Sequence, residues 1–260
     1  MTSTKGTKIN QLLQGWPRGA VATQAWVASR GVSSRLASWY VSSGWITRLG
    51  PRAFLQAGDK VDWRGGLYAL QSQLGMVVHA GARTALELHG LSHFVAMGRE
   101  QRVVLVSDKT ERLPDWFERQ SWGVRMEHHV LTLFTEIPAA ATTRHECGGF
   151  EIAASSPERA IMEEMRLVRT NTDLEHAAQL MENLTTLRPG LVQGLLEHCT
   201  SVKVKRLFLW SAERAGHAWI DELDPTRVDV GSGKRQLYKG GVFDPKYAIT
   251  VPRAESPAHV

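Results

Sequence analysis

Cysteine is nearly missing from this chain: only Cys147 and Cys199 occur in 260 residues. Two thiols cannot build a disulfide framework, and their spacing offers no paired Cys-x-x-Cys zinc site, so both read as small buried side chains in a reducing compartment. Long apolar runs are also lacking. None approaches the roughly 18 residues of a membrane span, and Met1-Thr2-Ser3-Thr4-Lys5 is not followed by the apolar core of a signal peptide. A cytoplasmic protein without a membrane partner is the expectation. Catalytic vocabulary is equally thin. Gly231-Ser232-Gly233-Lys234 lacks the spacing of a phosphate loop and is followed by Arg235, so it reads as a turn. His128-His129 and His145-Glu146-Cys147 approach metal-ligand spacing, but no second pair accompanies them. Glu163-Glu164 reads as a solvated helix face. No Glu-x-Lys occurs, the arrangement a nuclease metal site would need. The expectation is therefore no catalytic residue, no metal and no cofactor.

The most informative absence is local. From Met1 to Gly58 there is no Asp or Glu, while Lys5, Lys8, Arg18, Arg30, Arg35, Arg48 and Arg52 give a charge of +7. The remainder carries 24 basic against all 26 acidic side chains, a net of minus 2. A basic module beside a mildly acidic one implies that the first meets a polyanion and the second does not.

Within the basic module, Ile9, Leu12 and Leu13 recur at helical spacing until Gly15 and Pro17 stop the pattern. Thr23 then caps a second helix that Arg30-Gly31 ends, and Ser33 caps a third through Gly44. In the third helix Leu36, Ala37, Tyr40 and Val41 form the packing face. Ser34, Arg35, Ser38 and Ser42 form a short, polar, acid-free outer face suited to the major groove. Trp45–Leu49 and Ala53–Leu55 read as strands around the turn Gly50-Pro51-Arg52, with Arg48 and Arg52 on and beside it. This order is that of a winged helix-turn-helix. The candidate DNA contacts are Arg18, Thr23, Gln24, Ser33, Ser34, Arg35, Ser38, Ser42, Arg48 and Arg52. Trp16, Trp26, Trp39 and Trp45 read as packing residues rather than as base-stacking platforms.

Residues 59–260 read as a larger mixed α+β domain, with a boundary at Ala57-Gly58. Helical spacing covers Asp59–Leu74 and Arg83–His89. Strands are expected at Arg102–Ser107, Gly123–His129 and Gly148–Ala154. A helix capped by Ser156 with Pro157 at its first position follows, then helices at Asp173–Leu187, Pro189–Cys199 and Val202–Leu223, and last strands at Gln236–Val242 and Tyr247–Val251. Strands, then helices, then strands again indicate α+β rather than a doubly wound sheet.

Taken in order, several segments resemble the AbiEi antitoxins of type IV toxin-antitoxin systems: Gly31-Val32-Ser33-Ser34-Arg35-Leu36, Gly44-Trp45-Ile46-Thr47-Arg48-Leu49-Gly50, Asp62-Trp63, His79 to Leu91, Gly231 to Arg235, Lys239-Gly240-Gly241 and Tyr247 to Pro252. The resemblance spans nearly the whole chain. One departure is Pro51-Arg52-Ala53-Phe54, in place of the family's commoner Gly and Tyr wing pattern. The resemblance implies an N-terminal domain that represses its operon at inverted promoter repeats. It also implies a C-terminal domain that counters a nucleotidyltransferase toxin or that toxin's target pathway, in a protein expected to be monomeric in solution. Two other readings stand beside it: a metal-dependent nuclease-like enzyme using carboxylates such as Asp108, Glu146 or Glu151, and an adaptor whose winged helix binds protein.

Overall fold

The computed structural model describes residues 3–92 and 101–253. The described residues of Met1–Ala80, Gly98–Val130 and Arg144–Ala154 form one compact unit, and those of Gly81–Met97, Leu131–Thr143 and Ser155–Val260 a second.

The first unit opens with α1 (Ser3–Gln14), which buries Ile9 and Leu12 and stops before Gly15. The strand β1 (Ala22–Thr23), the helices α2 (Gln24–Ser29) and α3 (Ser34–Ser42), and the hairpin β2 (Ile46–Gly50) and β3 (Ala53–Gln56) follow. Thr23 and Ser33 have extended backbones, and their hydroxyls accept the N–H groups of Trp26 at 3.2 Å and Leu36 at 3.3 Å. Each thereby satisfies a donor that the first helical turn leaves without a partner. Gly31, with φ 75°, makes the turn between the helices. The expected winged helix is thus present, with one addition. β1 pairs antiparallel with β3, Ala22 opposite Phe54 and Thr23 opposite Ala53, so the wing is a three-stranded sheet in the order β1-β3-β2.

Next comes α4 (Trp63–Tyr68), capped by Asp62 and continued by a π-helical turn over Ala69–Gln73. The mixed sheet begins with β4 (Val78–Ala80). After α5 (Ala82–Leu88), a helix of the second unit, it resumes with β5 (Arg102–Ser107), α6 (Asp115–Glu118), β6 (Arg125–Val130), β7 (Thr142–Glu146) and β8 (Glu151–Ser155). The order is β6-β5-β4-β8-β7, with β5 antiparallel to β4 and parallel to β6, and β4 parallel to β8. β5 has the expected bounds. β6 and β8 start later than expected because Gly123, Gly148 and Gly149 take positive φ and belong to turns.

The winged helix is fastened to the rest of this unit through its backbone. The Gln73 side chain accepts from Thr23 N–H and donates to the Val21 carbonyl, both at 2.8 Å, and Val21 N–H donates to the Gly65 carbonyl at 3.2 Å. A side chain on Gly50 would come within 3.1 Å of Trp116, so α6 abuts the wing strand β2.

The second unit is mainly helical: α5, α7 (Pro157–Leu167), α8 (Asn171–Glu182), α9 (Pro189–His198) and α10 (Val202–Ala215), with a small sheet in the order β10-β11-β9. Its strands are β9 (Arg235–Gln236), β10 (Val242–Asp244) and β11 (Ile249–Val251). Ser156 caps α7 and Pro157 begins it, as read from the sequence. α8 starts before Asp173, because Thr170 is the cap and Asp173 closes a capping box. α10 ends early, at Gly216 with φ 69°, and Ala218–Glu222 forms a separate 3-10 turn.

One sequence expectation is corrected in this unit and another gains a physical role. Glu163-Glu164 is not a solvated face: both residues are buried, together with Glu158 and Arg159 of the same helix. Glu163 accepts from Arg159 Nε at 2.7 Å, from Ser155 Oγ and from Ala82 N–H at 2.9 Å, while Glu164 pairs with Arg83 and lies 3.8 Å from His176. Helical periodicity could not reveal this, since the partners come from 8 to 81 positions away for all but Arg159. The Gly231–Gly233 loop is a turn as expected, with a specific task. The carbonyls of Val230, Gly231, Gly233 and Ala248 all accept from the Arg206 guanidinium, at 2.6 to 3.2 Å. A loop that offers carbonyls to a cation has the wrong polarity for a phosphate cradle. Among the described residues, no helix is long and apolar enough to cross a membrane.

Glu163→Ala takes away the buried carboxylate that pairs with buried Arg159, so it should lower unfolding free energy by about 3–5 kcal/mol in denaturant titration. Burial would raise the Glu164 carboxyl, but His176 and Arg83 outweigh it and hold the pKa below the usual carboxylate value. A depressed folded pKa stabilises above the unfolded pKa and is lost as pH falls through the folded one. The melting temperature of the native chain should therefore drop on acidification below about pH 4 more steeply than that of Glu164→Gln.

Candidate nucleic-acid interface

The outer surface of α3 follows from its period. Ala37 and Tyr40 are buried and Leu36 and Val41 half-buried, which turns Ser34, Arg35, Ser38 and Ser42 outward as one stripe. Among the described residues, no side-chain hydrogen bond or ion pair within the chain engages Ser34, Arg35 or Ser38. Ser42 donates to the Trp39 carbonyl at 2.9 Å. At the wing, Arg48 and Arg52 are exposed. Arg48 lies over the Phe54 ring at 5.3 Å, and neither arginine has an ion-pair partner among the described residues. Arg52 occupies the turn with φ 62°, and its carbonyl accepts from Gln24 N–H at 2.8 Å, which ties the wing tip to the start of α2.

The remaining candidates are placed differently. Thr23 is buried with its hydroxyl committed to capping α2, and the Ser33 hydroxyl likewise caps α3. Arg18 is exposed, but its guanidinium is 2.7 Å from Asp59, the first acid of the sequence. Asp59 follows the end of β3, so Arg18 stands at the base of the hairpin and Arg52 at its tip. Gln24 is half-buried, and its amide nitrogen is buried without a partner. It lines an open cleft of about 750 Å³ together with Ser34, Pro51, Arg52, Asp115 and Trp116.

Sequence reasoning missed two features of this surface. The first is that α6 and the segment before it flank the wing. Arg112 and Arg119 there lie 3.7 and 3.3 Å from Asp115. The second concerns the tryptophans. Trp16 is buried and Trp26 packs on it edge to face at 5.8 Å, as expected. Trp39 and Trp45, read as packing residues, are 43% and 46% exposed. Helical phase could have placed Trp39 outside, since it lies one turn after Arg35.

The residues weighed for chemistry are engaged elsewhere. Glu146 accepts from Gly149 N–H at 2.7 Å and Glu151 lies 3.9 Å from Arg144. His128 shares a 2.7 Å hydrogen bond with Ser107, and burial, with neighbouring His129, lowers its pKa. Cys199 is buried as expected, whereas Cys147 is only partly so; burial raises both thiols. No three His, Cys, Asp or Glu side chains form a metal-sized group among the described residues.

Comparison with known proteins agrees with this anatomy. The RV2827C protein from Mycobacterium tuberculosis, known from a crystal structure, is similar in fold. Its TM-score is 0.59 at 13% identity, over 95% of this chain and 91% of that one. No curated protein matches. Residues 5–97 match the model for a transcriptional regulator, the AbiEi antitoxin N-terminal domain, and residues 100–252 that for a transcriptional regulator and AbiEi antitoxin of a type IV toxin-antitoxin system. With both models matched in order across nearly its whole length, the chain belongs to the AbiEi antitoxin family of transcriptional regulators.

Proposed function

We propose that this protein is a cytoplasmic, monomeric autorepressor and antitoxin without an enzymatic step of its own. Residues 1–58 bind double-stranded promoter DNA at inverted repeats, and residues 59–260 counter the cognate nucleotidyltransferase toxin or its target pathway. The observation that carries the DNA reading is the outward stripe of Ser34, Arg35 and Ser38 beside the unpaired arginines of the wing, in a segment with no acidic residue. Arg35 is long enough for a bidentate contact to guanine, while the small serines let the helix approach the base edges. Arg48 and Arg52 are placed to follow the phosphate backbone, and Ser42 and Gln24 lie at the margins of the same surface. Ser33 and Thr23 act indirectly, by capping α3 and α2 and so fixing the helices that carry the contacts. Family membership supports the regulatory and antitoxin roles together.

Three measurements test this. In filter binding against salt, Arg48→Ala and Arg52→Ala should each weaken binding to every duplex and reduce the slope of log K against log salt by about 1. Arg18→Ala should reduce it by less, because Asp59 already balances that charge. In competition titration, Arg35→Ala should lose about 1–3 kcal/mol of preference for the promoter over random duplex while keeping non-specific affinity. Promoter preference that survives Arg35→Ala would remove α3 from the recognition role. In a growth assay with the adjacent toxin, full-length Arg35→Ala should protect as well as the native chain, and loss of protection would overturn the division at Gly58.

A further inference from the structure

The cleft between the wing tip, the start of α2 and α6 has a volume of about 750 Å³, within the size range of small-molecule sites. Much of its wall is apolar: Ala25 and Ala28 on the exposed side of α2, Leu74, which is 38% exposed, Pro114 and buried Trp116. Gln24 donates its N–H to the Arg52 carbonyl at 2.8 Å, which sets these two residues side by side, and Ser34 lines the cleft with them. The Gln24 amide nitrogen is buried without a partner, and a buried donor left unsatisfied is costly. Among the described residues no hydrogen bond holds that amide, so it can turn toward an acceptor oxygen in the cleft and gain the bond it lacks.

Charge narrows the class of occupant. The Arg52 guanidinium has no ion-pair partner among the described residues, and its planar fork fits a carboxylate. Asp115 also lines the cleft, but Arg112 and Arg119 lie 3.7 and 3.3 Å from it, so cations outnumber that carboxylate. An anion carried on an apolar body suits this lining, and a bare phosphate does not, since it would leave the apolar walls uncovered. Arg52 and Ser34 also belong to the DNA surface. An occupant would therefore take the cation that follows the phosphate backbone and stand beside the first residue of α3. Resting on the DNA-binding reading above, we propose that this cleft is an effector site for small organic carboxylates with an aromatic or aliphatic body, and that their binding competes with promoter DNA.

The test uses the full-length chain with 2-naphthoate and octanoate as probes, beside their alcohols 2-naphthylmethanol and 1-octanol, which keep the body and lose the charge. In calorimetry at least one carboxylate should bind, about tenfold more tightly than its alcohol, because charge-assisted hydrogen bonds are the stronger ones. Arg52→Gln should bring the two to equal affinity. Ala28→Phe, which fills the cleft from an exposed position, should remove probe binding and leave promoter binding as in the native chain. At ten times its own dissociation constant, the bound carboxylate should weaken promoter binding by the native chain about tenfold, and by Ala28→Phe not at all. The inference falls if neither carboxylate binds, if the alcohols bind as well as the carboxylates, or if Ala28→Phe leaves probe binding intact. It falls also if a carboxylate binds without weakening promoter binding, or if the native chain self-associates and Ala28→Phe abolishes that, since the cleft then holds a second copy. A native chain that binds a carboxylate but no duplex refutes the DNA-binding reading itself, an outcome that calorimetry without DNA keeps distinct.

Discussion

Two residues of β1 decide whether the wing has a fixed direction. A hairpin of four or five residues a strand has little stability alone and would swing about Gly44 and Gly58. Pairing Ala22 with Phe54 and Thr23 with Ala53 makes it part of a sheet whose third strand leads directly into α2. The same Thr23 caps α2 with its hydroxyl and donates its N–H to Gln73. Wing, helix-turn-helix and the following helix are therefore referred to one residue's backbone and side chain. The spacing between Arg35 on α3 and Arg52 on the wing follows from that shared reference, and a surface that must match a duplex needs such preorganisation.

The winged helix and the helical unit treat charge in opposite ways. On the winged helix, Arg35, Arg48 and Arg52 have no acidic partner among the described residues, which costs nothing in water and leaves them available to an anion. In the helical unit, charged groups are spent internally. Arg159, Glu163, Arg83 and Glu164 fix α5 against α7, and Arg206 gathers four carbonyls of the C-terminal loops. Lys203 does likewise at the end of α7, donating to the carbonyls of Arg166 and Val168, and burial lowers its pKa to about 8. Net charge alone describes neither arrangement, since a buried carboxylate and an exposed one count equally.

What was legible in the sequence was what local chemistry determines. Thr23, Ser33 and Ser156 each mark a helix start because a cap acts within three residues, and Gly31 and Gly44 mark stops because they accept positive φ. β5 was legible because Val103 to Val106 form an unbroken apolar run. β7 was not, because Thr142-Thr143-Arg144-His145-Glu146 is polar on both faces at the sheet's edge, and β1 was too short to show a period. At the interface, the basic stripe could be read from residue types and phase. Thr23 and Arg18 could not be excluded in the same way, because their commitments to Gln73 and Asp59 are made across 50 and 41 positions. Glu163 and Glu164 are misread for the same reason.

The first unit is also discontinuous along the chain, which leaves it after Ala80 and returns twice, ending at Ala154. At about 5–20 residues per second on the ribosome, the 74 positions from Ala80 to its partner Ala154 take about 4–15 s to synthesise. The winged helix, whose hydrogen bonds to the following helix reach only to Gln73, can close during that interval. β4 cannot, and its buried Ala80 stays without its partner Ala154 of β8. A nascent chain therefore passes through a stage in which the basic module is complete and the sheet beneath it is half built, so slow translation between these points would lengthen the exposure of an unpaired apolar strand.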